Sequence, residues 1–275
     1  MQSASSDMKT CALRISVCIV TYKTKRDVLK NTLDSLAVAL HQSGADDFNV
    51  TVIDNSSEAD LPAWLGENCP DIKAQCLSGH GNIGFGRANN LLLGRLGDFH
   101  LILNPDVVLE PGSLKNGLAF LAANPDCGLV SPCAFAHDGG RQYLCKRFPA
   151  VADLLLRGFA PSWLRHLFRQ RLSRYEMQDM PDDRVIWDPP LVSGCFMLFR
   201  SPVLEASGGF DPRYMLYFED FDLSLRVGRI SRIAYVPSVR IVHLGGNTAS
   251  KGAFHIWQFF RSACIFYATS GLRLF

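Results

Sequence analysis

The chain has 275 residues, of which 48% are hydrophobic and 20% charged. That composition excludes a disordered or fibrous protein and leaves ample material for a buried core. Lys and Arg number 28 against 26 Asp and Glu, a net charge of +2, which argues against a duplex nucleic-acid binder.

Ile15–Val20 is a continuous apolar run, the pattern of a strand covered on both faces. Thr24 and Asp27 have the T-x-x-D spacing of a capping box, and Leu29, Leu33, Leu36 and Leu40 follow on one helical face. Val50–Ile53 is the next strand and runs into Asp54-Asn55-Ser56-Ser57, and Ile72–Leu77 is a weaker one. A glycine-rich turn, Ser78–Gly86, opens a helix from about Arg87 to Leu96. Phe99–Leu103 is a strand that stops at Asn104-Pro105-Asp106, and Pro111 opens a helix to about Ala123. This alternation predicts an α/β fold with a mostly parallel sheet and right-handed crossovers.

The second half is less regular. Arg141–Tyr175 is basic and aromatic, and Met180–Pro190 reads as a loop. Leu191–Arg200 reads as one apolar strand and Gly208–Pro212 as a turn. Glu219–Arg226 is a helix with acids in its first turn, where they suit the helix dipole. Ile233–Val236 and Val239–His243 read as two short strands around Pro237.

In open α/β sheets ligands bind outside the carboxyl ends of the strands. Three strands here end in polar clusters, at Thr21-Tyr22, Asp54-Asn55 and Asn104-Pro105-Asp106, and parallel strands bring all three to one edge. Gly79-His80-Gly81-Asn82-Ile83-Gly84 satisfies G-x-G-x-x-G, with Asp106 at a ribose-like spacing beyond it. A dinucleotide fold therefore competes, although its fingerprint belongs after the first strand of a unit, and two βα units come first here. Asp106 with His243 has the chemistry of a Mg²⁺ or Mn²⁺ site. Read alone, His243 is an ordinary strand-ending histidine. Glu219 and Asp220 form a carboxylate pair, and repulsion and partial burial raise a carboxyl pKa as a general base requires. Read alone, they are helix-capping acids, and Asp222 with Arg226 is a structural i, i+4 pair.

Seven stretches together resemble a family 2 glycosyltransferase of the GT-A fold, and within it the bacterial rhamnosyltransferases of surface-polysaccharide assembly. They are VCIVTYKTKRDVLKNTLDSL (17–36), VTVIDNSS (50–57), GNIGFGRANN (81–90), LILNPDVVLEPGSL (101–114), VSGCFMLFR (192–200), GGFDPRYMLYFEDFDLSLR (208–226) and VHLGGNTASK (242–251). The resemblance implies one GT-A domain: a nucleotide-sugar half (14–131), a basic aromatic insert (132–190), an acceptor half of mixed structure (191–251) and a C-terminal helix (252–275). It implies that Thr21, Tyr22, Asp54 and Asn55 hold the nucleotide and that Asn82 approaches the donor. Asn104-Pro105-Asp106 stands where such enzymes carry Asp-x-Asp, so one negative charge is missing at Asn104. Asp106 and His243 would bind the metal. Asp220 would be the base and Glu219 its support or an acceptor contact, with Gly194 and Trp187 as further acceptor contacts. One displacement then inverts the anomeric centre. The implied donor is dTDP-β-L-rhamnose, with galactofuranosyl and N-acetylhexosaminyl transfer as alternatives. A nicotinamide-dependent oxidoreductase and a non-catalytic sugar-binding protein are the competing classes.

Between Asp138 and Tyr175 eight Lys or Arg stand against two acids, interleaved with Leu154, Leu155, Trp163, Leu167 and Phe168. Two readings fit: a basic amphipathic surface for an anionic membrane, or a helix pair packed on the sheet with a solvated face. A lipid-linked saccharide acceptor goes with the first. The aromatic C-terminal residues Phe254, Trp257, Phe259, Phe260, Phe266 and Tyr267 fit an extended apolar face, a core or a homo-oligomer contact. The nine cysteines are odd in number and show no C-x-x-C, so a reducing, cytoplasmic chain is expected, peripheral to the inner membrane face on the first reading. Met1–Thr10 is polar, unlike a signal peptide, and no run of ~18 uncharged apolar residues offers a membrane span.

Overall fold

The chain alternates strand and helix from its first described element. In order it forms β1 (Arg14–Thr21), α1 (Arg26–Gln42), β2 (Asp47–Asp54), α2 (Leu61–Asn68), β3 (Gln75–Leu77), α3 (Phe85–Asn90), β4 (Phe99–Leu103), β5 (Val107–Leu109), α4 (Ser113–Ala123) and β6 (Cys127–Phe135). There follow β7 (Arg141–Gln142), β8 (Cys145–Lys146), α5 (Val151–Phe159), α6 (Ser162–Leu167), α7 (Arg169–Tyr175), β9 (Ile186–Trp187) and β10 (Leu191–Val192). The last elements are β11 (Phe196–Arg200), α8 (Ser201–Ala206), α9 (Glu219–Val227), β12 (Arg232–His243) and α10 (Ala253–Ser270). This is a computed structural model, and it describes residues 13–179, 181, 183–245 and 252–274. The polar start Met1–Thr10 and positions 246–251 of the last matching stretch lie outside the described residues.

The main sheet has the order β3-β2-β1-β4-β11-β6-β12-β5, with β7 on β6 and β9 on β12. Its first four strands are parallel, as the strand–helix alternation predicts. β11 runs antiparallel to both neighbours, and β6 and β12 are parallel to each other. Alternate residues of each strand feed opposite faces. Val17, Ile19, Leu101 and Leu103 pack with Leu29, Leu33, Leu36 and Leu40 of α1 on one face. Ile102, Met197 and Phe199 pack with Leu204, Phe210 and Leu223 on the other. The four leucines of α1 are essentially unexposed, and each contributes roughly 2 kcal/mol by leaving water.

Several expectations are corrected. No capping box forms: α1 is preceded by Lys25 in extended conformation, without a side-chain cap bond. α3 starts two residues early, at Phe85, and stops at Asn90, whose side-chain amide bonds both the N–H and the C=O of Phe210. α4 begins at Ser113, after Gly112 turns the chain at φ +78°, rather than at Pro111. β6 has no counterpart among the predicted elements, because Gly128 and Pro132 break its strand signal. Leu191–Arg200 is two strands, β10 and β11, divided by a bend at Ser193–Cys195. Conversely, β12 is one strand through Pro237, which sits where its register against β6 shifts. The basic segment folds into α5, α6 and α7.

Candidate active site

Thr21 pairs with Asp54, and Ile19 with Leu103, so three polar strand ends open side by side. Asp54 is fully buried. Its Oδ1 accepts the N–H and the hydroxyl of Ser56, both at 2.8 Å, and its Oδ2 accepts the Glu58 N–H at 2.5 Å. Its carboxylate is thereby taken up by its own loop. Thr21 is buried and Tyr22 exposed. Asn55 reaches across to the glycine turn: its Nδ2 donates to the Gly84 carbonyl at 3.2 Å, so its Oδ1 accepts from His80 Nε2 at 3.0 Å.

The turn itself depends on glycine. Gly84 lies at φ +88°, and a Cβ there would meet the Met215 carbonyl oxygen at 2.5 Å. Asn82 is exposed, and its Oδ1 accepts the Gly84 N–H at 3.1 Å. Phe85, just beyond, faces Gly194: a Cβ on Gly194 would lie 3.4 Å from its ring and 3.2 Å from the Asp220 Cβ.

The bend at Ser193–Cys195 joins the two sides of the site. The Asn104 N–H donates to the Cys195 carbonyl at 2.8 Å, and the Gly194 N–H donates to Asp220 Oδ2 at 2.9 Å. The segment carrying Asp106 and the helix carrying Asp220 therefore meet through adjacent residues. Asp220 Oδ1 also accepts the Phe221 N–H at 2.9 Å, an open donor of the first turn of α9. Ser224 secures the arrangement, its hydroxyl donating to the Asp220 carbonyl at 2.7 Å and accepting the Val192 N–H at 3.1 Å.

The two carboxylates differ in setting. Glu219 is buried, and its Oε2 has no hydrogen-bond partner among the described residues. Burial, and then the Asp220 charge, push its pKa up to about 8, so it is protonated at neutral pH. Asp220 is only half-buried and accepts backbone N–H groups; burial raises its pKa while those bonds oppose the rise. Just before the pair, Tyr217 and Phe218 lie at φ +70° and +67°, a left-handed conformation costly for aromatic residues and one that clusters at functional sites. Helix α10 holds them: Phe218 packs on Phe259 and Phe266, Tyr217 bonds His255, and the Ser262 hydroxyl donates to the Leu216 carbonyl at 2.7 Å.

Asp106 follows β4, and His243 ends β12. His243 Nε2 lies 3.6 Å from Asp106 Oδ1, which is buried and has no hydrogen-bond partner among the described residues. Burial holds the His243 pKa below its usual value against the opposing pull of Asp106, so the ring is neutral at pH 7. A neutral imidazole beside an orphaned carboxylate oxygen is a donor set that fits a divalent cation. Only two such side chains meet, and among the described residues no group of three His, Cys, Asp or Glu could hold a metal. Gly245 runs close beside the pair, where any side chain would strike the Asp106 carboxylate.

Trp187 is not brought to this cluster. It pairs with Ala234, nine positions before His243 on β12, and its ring stacks under Arg232 and beside Phe120. Because β12 bulges between Val236 and Arg240, Ala234 and Val242 face Val130 and Phe135 of β6, and at ~3.3 Å per residue Trp187 lies roughly 20 Å from His243. Phe85, Gln142 and Gly245 do adjoin the site; Phe85 and Gly245 lie inside stretches that carry the resemblance, which gave them no role, and no motif marks Gln142.

The family profile described as "Glycosyltransferase like family 2" matches residues 13–264. The chain belongs to that family. It is a glycosyltransferase, and the nicotinamide reading of the glycine turn falls. N-acetylglucosaminyl-diphospho-decaprenol L-rhamnosyltransferase of Mycobacterium tuberculosis is 28% identical, with 92% of this chain and 84% of the relative aligned. Rhamnosyltransferase WbbL of Escherichia coli is 24% identical, with 82% and 81% aligned. Among solved structures, mannosyltransferase PcManGT of Pyrobaculum calidifontis, in complex with GDP-Man and Mn²⁺, superposes with a TM-score of 0.59 at 20% identity. That match covers 90% of this chain, which spans 60% of the mannosyltransferase. The GT-A fold expected from the motifs is the fold observed.

Proposed function

We propose that this glycosyltransferase moves L-rhamnose from dTDP-β-L-rhamnose to a lipid-linked saccharide, with inversion and with Mg²⁺ or Mn²⁺ bound. The Ser193–Cys195 bend carries the reading, since its two hydrogen bonds tie Asn104, just before Asp106, and the Asp220 carboxylate to one turn. The rhamnosyltransferase relatives support the sugar.

In this reading Thr21, Tyr22, Asn55 and the loop built on Asp54 hold the nucleotide, and Asn82 with the glycine turn flanks the diphosphate. Asp106 and His243 hold the cation, and a bound cation supplies neutralisation of the charge that develops on the diphosphate. Asp220, half-buried and held by the Gly194 and Phe221 N–H groups, takes the proton of the acceptor hydroxyl. That oxygen bonds to the anomeric carbon as the bond to the diphosphate oxygen breaks on the opposite face. The sugar passes through an oxocarbenium-like transition state, as other glycosyl transfers do. Slow hydrolysis of a nucleotide-sugar panel tests the donor: dTDP-rhamnose turns over fastest, and a preference for a UDP-sugar refutes the rhamnosyl assignment.

The surface of α6 supports a lipid-linked acceptor. Trp163 and Leu167 are 69% and 70% exposed. Arg147, Arg157 and Arg171 are engaged in ion pairs with Asp179, Glu176 and Asp153, while Arg165 and Arg169 are exposed beside the apolar pair. Among the described residues no helix is long and apolar enough to cross a membrane, so contact would be peripheral, at the inner face of the plasma membrane. The full chain should float with anionic vesicles and lose this when Trp163 and Leu167 become Ser. Failure of the parent chain to float rules the surface out.

A further inference from the structure

Gln142 makes three hydrogen bonds that together leave it one orientation. Its Nε2 donates to the His243 carbonyl at 2.9 Å and to the Gly245 carbonyl at 3.4 Å. Carbonyl oxygens only accept, so the amide cannot be turned over without setting oxygen against oxygen. The other end of the same amide, Oε1, lies 2.8 Å from His243 Nδ1. An amide oxygen also only accepts, so the hydrogen between them sits on Nδ1. In a neutral ring Nε2 is then bare. That bare nitrogen faces Asp106 Oδ1 at 3.6 Å, beyond hydrogen-bond reach, and the oxygen is itself unpartnered among the described residues.

We infer that Gln142 is a positioning residue which locks His243 as the Nδ1–H tautomer and so presents Nε2, together with Asp106, to a divalent cation. The inference rests on the metal reading of Asp106 and His243 given above. The fold supplies the reach. Gln142 stands on β7 opposite Ala134 of β6, and Ala134 stands opposite Ile241 of β12, two residues before His243. All these positions share one face of the sheet, and the residue between them carries only a methyl group. A histidine ligand whose far nitrogen is held in this way keeps both its tautomer and its ring orientation.

The test uses the full chain and two readouts. Nitrogen-15 NMR of the metal-free protein at alkaline pH, with His243 assigned by its loss in His243→Gln, reports the tautomer directly. The parent should show the Nδ1–H form. Gln142→Met, which keeps the length and removes the amide, should shift the ring towards the Nε2–H form. Mn²⁺ titration in the presence of dTDP, followed by electron paramagnetic resonance, should show affinity reduced about 10–100-fold in Gln142→Met. Gln142→Glu, which still accepts the Nδ1–H, should retain the tautomer and recover part of that affinity. A Gln142→Met protein that keeps the parent tautomer, or that binds Mn²⁺ as the parent does, overturns the inference. If the parent itself binds no Mn²⁺ with dTDP, the metal reading fails, and the tautomer measurement still decides whether Gln142 sets the ring.

Discussion

In the proposed site the ends of β1, β2 and β4 make one wall and the segment from Ser193 to Asp220 the other, and the two are built in different ways. The first wall is set by the sheet: each strand end delivers its polar residues where the sheet stops, Asp54 folds its own loop through bonds to Ser56 and Glu58, and Asn55 ties that loop to Gly84. The second wall is assembled from distant pieces. Gly194 meets Asp220 across 26 positions, and Ser262 of α10 steadies Leu216 across 46. A wall built from distant ties concentrates the chemistry in a few atoms, and substitutions there should act on turnover while leaving nucleotide binding intact.

The largest effect is expected at Asp220. Its Asn variant keeps an oxygen for the Gly194 N–H but cannot take a proton, so kcat should fall on the order of 10³-fold. Calorimetry should find dTDP affinity unchanged, because the proposed nucleotide site lies on the other wall. If nucleotide affinity falls together with kcat, the two walls are not separable and Asp220 is not the base.

The same contrast explains what was legible in the sequence. The apolar runs 15–20 and 99–103, the leucine stripe of α1 and the polar strand ends are patterns of period and position, and they survive folding nearly unchanged. The bend inside 191–200 was invisible because its cause lies elsewhere: Ser224 and Leu144 take the N–H groups of Val192 and Ser193. β12 reads as two strands because Pro237 hides a register shift that a long strand can absorb. Gln142 lies in a basic stretch and carries no motif, and its importance appears only once β7 brings it opposite β6. Trp187 was expected near the acceptor from resemblance alone, and strand register sends it to the far end of β12.

A smaller effect, in stability as well as rate, is expected at Glu219. Its pKa is pushed from the ordinary 4.5 to about 8 in the folded chain. Between those values the folded protein holds a proton that the unfolded chain has released, so stability falls as pH rises through the window. Glu219→Gln does not titrate and escapes that loss. Its melting temperature relative to the parent should therefore rise from about pH 5 to about pH 8, by on the order of a few degrees. Turnover should fall far less than in Asp220→Asn. A constant gap between the two melting curves would mean that Glu219 is ionised in its burial site.

The smallest effect is expected where the sequence signal was clear and the structure declined it. Thr24 and Asp27 have capping-box spacing, yet Lys25 precedes the helix and contributes no side-chain bond. α1 is held instead by Leu29, Leu33, Leu36 and Leu40 against the sheet, and by Arg26, which pairs with Glu58 at 2.6 Å and Asp60 at 3.0 Å. Thr24→Ala should therefore change unfolding free energy by less than about 0.5 kcal/mol in urea titrations, the range of surface substitutions. Loss of a working N-cap costs ~1 kcal/mol. A measured loss of that size would mean the box closes in solution, and that the first wall depends on local capping as well as on packing.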